Sequence, residues 1–239
     1  MSSDLTFITN EGNCTLCDRF NQLIKDSRYF DVLVGYFYTS GFHALYPALE
    51  TTEKIRILIG IGTGKDVVDL IGYSKENGER ERQFSHTEVK EFFEREITAE
   101  MEHSEDNLRV EEGIERFISW LKSGKLEIRA YPSQNIHAKL YIMTFKEGDR
   151  DFGRVITGSS NFTQSGLSDN LELNVELKNR SDYEFAATKF ESLWRNSVDV
   201  SEKYIQFVKT HTWFNPNITP YELYLKFLYE YFKDELSLT

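Results

Sequence analysis

His137-Ala138-Lys139 is followed, further along the chain, by Gly158-Ser159-Ser160-Asn161. Together they supply an imidazole, an ammonium and a small polar loop. Such a set can attack a phosphodiester without a metal. The run IHAKLYI alternates apolar and other residues with period two, which predicts a strand. Residues two apart on a strand share a face, so His137 and Lys139 are expected to project together, with Ala138 on the other side. RVITGSSNFT predicts a second strand ending in a Gly-Ser loop. If the two strands pair, Ser159 and Asn161 arrive beside the His/Lys pair.

These residues resemble the signature of the phospholipase D superfamily, H-x-K-x-x-x-x-D followed by G-[S/T]-x-N. His137, Lys139, Gly158, Ser159 and Asn161 match as they stand, whereas the aspartate position holds Thr144. The superfamily also carries an acid shortly after the Gly-Ser loop, often as N-x-E, and Asn170-Leu171-Glu172 is similar to it. The resemblance covers roughly residues 5–180, with its specific motifs in 137–172. It implies a phosphohistidine mechanism in which His137 attacks phosphorus and Lys139, Ser159 and Asn161 hold the non-bridging oxygens. Glu172 would accept a hydrogen bond from the other ring nitrogen of His137 and so fix its tautomer. No metal and no cofactor are implied.

The mechanism needs a second histidine to protonate the leaving oxygen and then activate water. The chain's other histidines (His43, His86, His103 and His211) do not stand in an H-x-K context. Superfamily members with a single motif generally pair two chains, so the resemblance implies a homodimer with the active site on its two-fold axis, an isologous interface.

The elements that must position these groups follow from the pattern. LTFIT (5–9), YFDVLVGYF (29–37), KIRILIGIG (54–62), KLEIRAYP (125–132), AKLYIMTF (138–145), FGRVITGSS (152–160) and LELNVELK (171–178) read as strands. Thr15 to Ser27 reads as a helix, and Thr39-Ser40 as a cap for FHALYPAL. After Ser181 the pattern turns helical to the end, closing with TPYELYLKFLYEYFKDEL, where Pro220 fits a helix start. Strands alternating with helices and then a run of strands predict an α/β fold: a mixed β-sheet sandwiched between helices, with a C-terminal helical extension. We divide the chain into a phospholipase D-like domain (1–180) and that extension (181–239).

Net charge is −11, yet it is unevenly spread. From Glu76 to Arg116 there are 14 acids against 6 bases, and elsewhere 25 against 22. The acidic run reads as a helical insert over about 76–120 with a solvated charged face. The rest of the chain is nearly balanced, which leaves room for a local basic groove along a nucleic-acid backbone. Cys14 and Cys17 form a C-x-x-C without a second pair or a nearby histidine, so both read as small core-facing residues rather than as a metal or redox site. GIGTGKD (60–66) departs from a P-loop: Ile59 stands where a glycine is required and Asp66 where Ser or Thr is. YFYTSGF (36–42) reads as a loop that borders the site, its aromatics in the core. No apolar run approaches the ~20 residues of a membrane span, and the N-terminus lacks the features of a signal peptide, which predicts a cytoplasmic protein.

In overall order, with TPYELYLKFLYEYF after the sandwich, the chain resembles the N-terminal phospholipase-D-like domain of large bacterial Swi/Snf-type helicases, in which an ATP-driven motor follows. ATP would serve only that further part. The sequence therefore points to a metal-independent phosphodiesterase acting on DNA, a nuclease module of a helicase or restriction-type system. The alternative is a catalytically inactive module that binds DNA or dimerises a helicase. With no second motif, signal sequence or amphipathic anchor, a lipid phosphodiesterase is the reading the sequence favours least.

Overall fold

The computed structural model describes residues 6–11, 15–35, 37, 39–60, 108–131, 136–149, 151–202 and 205. Its strands are β1 (Phe7–Ile8), β2 (Ser27–Val34), β3 (Lys54–Gly60), β4 (Leu126–Tyr131), β5 (Leu140–Phe145), β6 (Gly153–Gly158), β7 (Asn174–Leu177) and β8 (Val198–Asp199). Its α-helices are α1 (Leu16–Leu23), α2 (Thr39–Leu49), α3 (Leu108–Ser123) and α4 (Arg180–Arg195). The strands form one eight-stranded mixed sheet in the order β1-β7-β6-β5-β2-β3-β4-β8. β2, β3 and β4 run parallel to their neighbours in that group, and the remaining pairs are antiparallel.

The chemistry of the central strands explains the layering. β2 and β3 are buried over most of their length, and side chains alternate between the two faces of a strand. A strand that is apolar on both faces needs cover on both. On one face Phe30, Val32, Ile55, Ile57, Ile128, Tyr141 and Met143 pack against α1, α2 and α3 through Leu16, Phe20, Phe42, Leu45 and Phe117. On the other, Leu33, Leu58, Ile142 and Val155 pack against Ala186, Phe190 and Trp194 of α4. The predicted mixed α/β sandwich is therefore the observed fold.

Local signals set the helix ends. Thr15 caps α1 with a capping box: its Oγ1 accepts from Asp18 N, and Asp18 Oδ2 accepts from Thr15 N, each at 3.1 Å. Leu16, Phe20 and Leu23 then fall on one buried stripe. α3 stops at Gly124, whose φ of 73° suits glycine at a helix C-terminus.

Three expectations change. The boundary at residue 180 cuts across packed elements, because α4 covers the second face of the sheet among the described residues and β8 joins the sheet edge beside β4. The end of the acidic segment is not a solvated insert, since Phe117, Ile118, Trp120 and Leu121 of α3 enter the core. Thr39 opens α2 as its first residue instead of capping it. The remainder of the acidic run, most of the glycine-rich GIGTGKD turn, Cys14, and the C-terminal TPYELYLKFLYEYFKDEL lie outside the described residues. Cys17 is half-buried against the core.

Candidate active site

The site gathers where β5 begins and β6 ends. These strands pair antiparallel with Leu140 opposite Thr157, so the segment entering β5 and the loop leaving β6 meet at the same end of the sheet's strands. Thr157 Oγ1 donates to the carbonyl of Lys139 at 2.8 Å and ties the two segments together.

His137 and Lys139 are not on the strand as predicted. Ladder pairing on both sides ends at Leu140, opposite Leu33 and Thr157, and residues 136–139 form an unpaired run ahead of it. The two side chains still meet. Lys139 Nζ lies 3.0 Å from His137 Nδ1, 3.4 Å from Nε2 and 3.3 Å from the His137 carbonyl oxygen. The imidazole is exposed while the lysine is only 7% exposed. Burial pushes the Lys139 ammonium below its ordinary value, and Glu172 partly offsets this. A desolvated cation beside an exposed imidazole is suited to receiving an anion.

The Gly-Ser loop is held from below. Ser160 is fully buried: Asn174 Nδ2 donates to its Oγ at 2.8 Å, and Tyr141 Oη donates to its carbonyl at 2.8 Å. Gly158 is required by packing, since a Cβ there would stand 2.3 Å from the Leu173 carbonyl. Ser159 is exposed. Its N donates to Leu173 O at 3.1 Å, and its Oγ accepts from Leu173 N at 3.0 Å and donates to Glu172 Oε2. Asn161 is buried, and its Oδ1 has no hydrogen-bond partner among the described residues. Buried polar atoms are normally paired, so an unpaired one marks a place where a ligand or solvent group belongs.

All five predicted site residues are thus described. Glu172 does not meet the His137 ring: its carboxylate accepts a hydrogen bond from the Ser159 hydroxyl instead, and the ring has Lys139 beside it. Thr144, at the aspartate position, ends up at the far end of β5, about 13 Å from Leu140 at the rise of a strand. There its hydroxyl shares a 2.8 Å hydrogen bond with Tyr183 of α4. The departure from the signature therefore leaves the cluster around His137 unaltered. Of the other histidines, His43 is buried on α2 against Gly113 of α3; the remaining three lie outside the described residues. No three His, Cys, Asp or Glu side chains converge as a metal centre among the described residues.

Sequence reasoning missed Tyr141, Thr157 and Asn174, which position the loop, and Gly35 at the end of β2, which lies against both His137 and Asn161. Asn174 left a trace as a polar residue in the β-forming run LELNVEL. Of the segment 36–42 expected as a loop, residues 39–42 open α2, Tyr36 and Tyr38 lie outside the described residues, and Phe37 forms a parallel bridge with Phe162, next to Asn161.

A family described as "Cardiolipin synthase, PLD-like domain" matches residues 21–194. No curated protein matches the chain. Among solved structures, the chain is similar to TrmBL2, an archaeal chromatin protein, at 13% identity and TM-score 0.41, covering 84% of this chain and 56% of that one. It is similar to NucT from Helicobacter pylori at 12% identity and TM-score 0.40, covering 77% and 90%. It is also similar to Nuc from Salmonella typhimurium, a phospholipase D family member, at 17% identity and TM-score 0.38, covering 76% and 88%. No helix among the described residues is long and apolar enough to cross a membrane.

Proposed function

The chain belongs to the PLD-like domain family, and from that premise we propose that it is a metal-independent phosphodiesterase that cleaves DNA through a phosphohistidine. The observation that carries this reading is the convergence, at paired strand ends, of an exposed His137, a buried Lys139 3.0 Å from its ring, and the Ser159–Asn161 loop.

In the first step a ring nitrogen of His137 forms a bond to phosphorus as the P–O bond to the leaving strand breaks. Lys139 and the Asn161 carboxamide neutralise the non-bridging oxygens. Donors of this kind typically contribute ~3–4 kcal/mol each to the transition state. Ser159 can donate its proton to the phosphate only by releasing Glu172. Glu172 is then free to take the second ring N–H of His137 and set its tautomer. In the second step water attacks phosphorus, the P–N bond breaks to restore the histidine, and the proton of the water returns to the histidine that protonated the leaving oxygen.

The proton for the leaving oxygen comes, in this reading, from His137 of a second copy of the chain across a two-fold axis. The exposed side chains of Leu171 and Leu173, 73% and 56% accessible, flank Glu172 and offer that copy an apolar surface beside the site. The module would serve a helicase or restriction-type system, with ATP confined to a motor in another part of that protein. It would act away from membranes, in the cytoplasm.

A nuclease assay in EDTA, on single-stranded and duplex DNA, with wild type and His137→Ala, tests the reading. Cleavage by wild type and none by the variant is expected. Cleavage that survives the substitution, or that vanishes in EDTA, overturns it. No cleavage by either protein, with DNA binding unaffected by the substitution, would identify a binding module instead.

A further inference from the structure

Most glycines of this fold have an evident structural reason. Gly124 and Gly148 have φ of 73° and 97°. At Gly41, Gly60, Gly113, Gly153, Gly158 and Gly166 a Cβ would come within 2.1–2.5 Å of a neighbouring atom. Gly35 has neither reason. Its φ is outside the left-handed region, and among the described residues a Cβ would meet nothing nearer than Asn161 Oδ1 at 3.7 Å and His137 Cδ2 at 3.8 Å. Those are ordinary contact distances. Among the described residues, the backbone and its packing leave room for alanine here.

The two atoms that a Cβ would touch belong to the reacting imidazole and to the buried carboxamide whose oxygen has no partner. The bare Cα of Gly35 thus leaves a gap with His137 on one side and Asn161 on the other. A phosphoryl oxygen hydrogen-bonded to Asn161 would sit about 2.9 Å from the amide, and phosphorus about 3–3.5 Å from the attacking nitrogen. A methyl group would occupy that same space. A half-turn of the carboxamide exchanges Oδ1 for Nδ2, which converts the unpaired acceptor into a donor toward an oxyanion.

We propose that the gap over Gly35 seats the tetrahedral phosphoryl group, and that Gly35 determines specificity by leaving that space open. The inference rests on His137 being the nucleophile, as proposed above, and extends it to the shape of the pocket.

The test uses wild type, Gly35→Ala, Gly35→Val and His137→Ala, with three measurements: thermal unfolding, binding of inorganic phosphate, and DNA cleavage in EDTA. Gly35→Ala is expected to unfold within roughly 2 °C of wild type, since it adds only an unstrained contact. It should bind phosphate at least ~10-fold more weakly and lose ~100-fold in kcat/KM, on the scale of one lost phosphate donor. Gly35→Val should lose more on both. If Gly35→Ala binds phosphate and cleaves like wild type, the inference falls while the proposed function stands. If wild type binds phosphate without cleaving, the function falls and the phosphate comparison alone decides the role of Gly35. Wild type that neither binds nor cleaves overturns both. A Gly35→Ala protein that does not fold shows a structural need for glycine and also overturns the inference.

Discussion

Two polar clusters on this sheet are built in opposite ways. In the middle of the sheet, Arg56 of β3 reaches Asp31 of β2 through two hydrogen bonds, at 2.6 and 2.7 Å, and Glu191 of α4 through a third. Its guanidinium also lies 4.9 Å from the Phe190 ring centroid and 5.4 Å from that of Trp194. Burial alone would push Arg56 down, but Asp31 and Glu191 together hold it above its ordinary value. Where β5 begins and β6 ends, the pattern reverses. Lys139 is buried against an imidazole, its ammonium held below the ordinary range, and Asn161 Oδ1 has no partner. A cluster that serves folding satisfies its own groups, because each unpaired one costs stability. A cluster that serves a ligand leaves groups for the ligand to satisfy.

The widest separation between the two should appear on removing Arg56. Arg56→Met leaves Asp31 buried without its cation, so denaturant unfolding should show a loss of about 3–5 kcal/mol. Folded protein should keep its cleavage rate. Replacing Asp31 and Arg56 together by apolar residues should recover most of the stability, because the desolvation cost then disappears with the charges. A fall in specific activity for Arg56→Met, measured on protein confirmed folded by circular dichroism, would merge the two clusters into one functional unit.

Lys139→Met should behave in reverse. Cleavage should fall by ~100- to 1,000-fold, as for loss of one preorganised charge donor, while stability should stay level or rise because a desolvated ammonium is gone. The sign of the pH dependence follows. A lysine whose folded pKa lies below its unfolded value binds fewer protons when folded. Its contribution to stability therefore improves as pH rises toward the ordinary lysine value of 10.5. Wild type should gain stability relative to Lys139→Met as pH climbs through that range, and its activity should decline on the basic side earlier than an ordinary lysine would dictate. Parallel stability profiles for the two proteins would show that Lys139 is not desolvated.

How far the sequence foretold this arrangement differs by element. The strands were legible because β4 alternates strictly, and β2 and β3 are apolar runs of strand length. The meeting of His137 and Lys139 with the Gly-Ser loop was legible because the runs that carry them read as successive strands, which the structure pairs. Three things were not. An unpaired extended segment has the same periodicity as a strand, so only the ladder shows that β5 starts at Leu140. A helix after the last long strand reads as an appendage, although Leu33, Leu58 and Ile142 required a cover, which among the described residues α4 supplies. A hydrogen bond between Glu172 and Ser159, or a gap over Gly35, depends on loop geometry that spacing does not encode.

The smallest expected effect is at Thr144, where the signature would have an aspartate. The signature alone would assign this position to the site, so restoring the acid ought to improve catalysis. The structure assigns it to the packing between sheet and α4. Its side-chain hydroxyl hydrogen-bonds Tyr183, and the length of β5 separates it from His137. Thr144→Ala should therefore cost about 0.5–1.5 kcal/mol, the net value of one hydrogen bond, and leave kcat/KM unchanged. Thr144→Asp should not raise activity. It would bring a carboxylate beside the Tyr183 hydroxyl, which can donate to it, so its stability should lie near that of wild type. Measuring both variants separates the alternatives: a gain in kcat/KM for the aspartate without a change in unfolding would place Thr144 in the catalytic cluster. An effect confined to unfolding would show that the signature's aspartate position belongs, in this chain, to the self-satisfied part of the sheet.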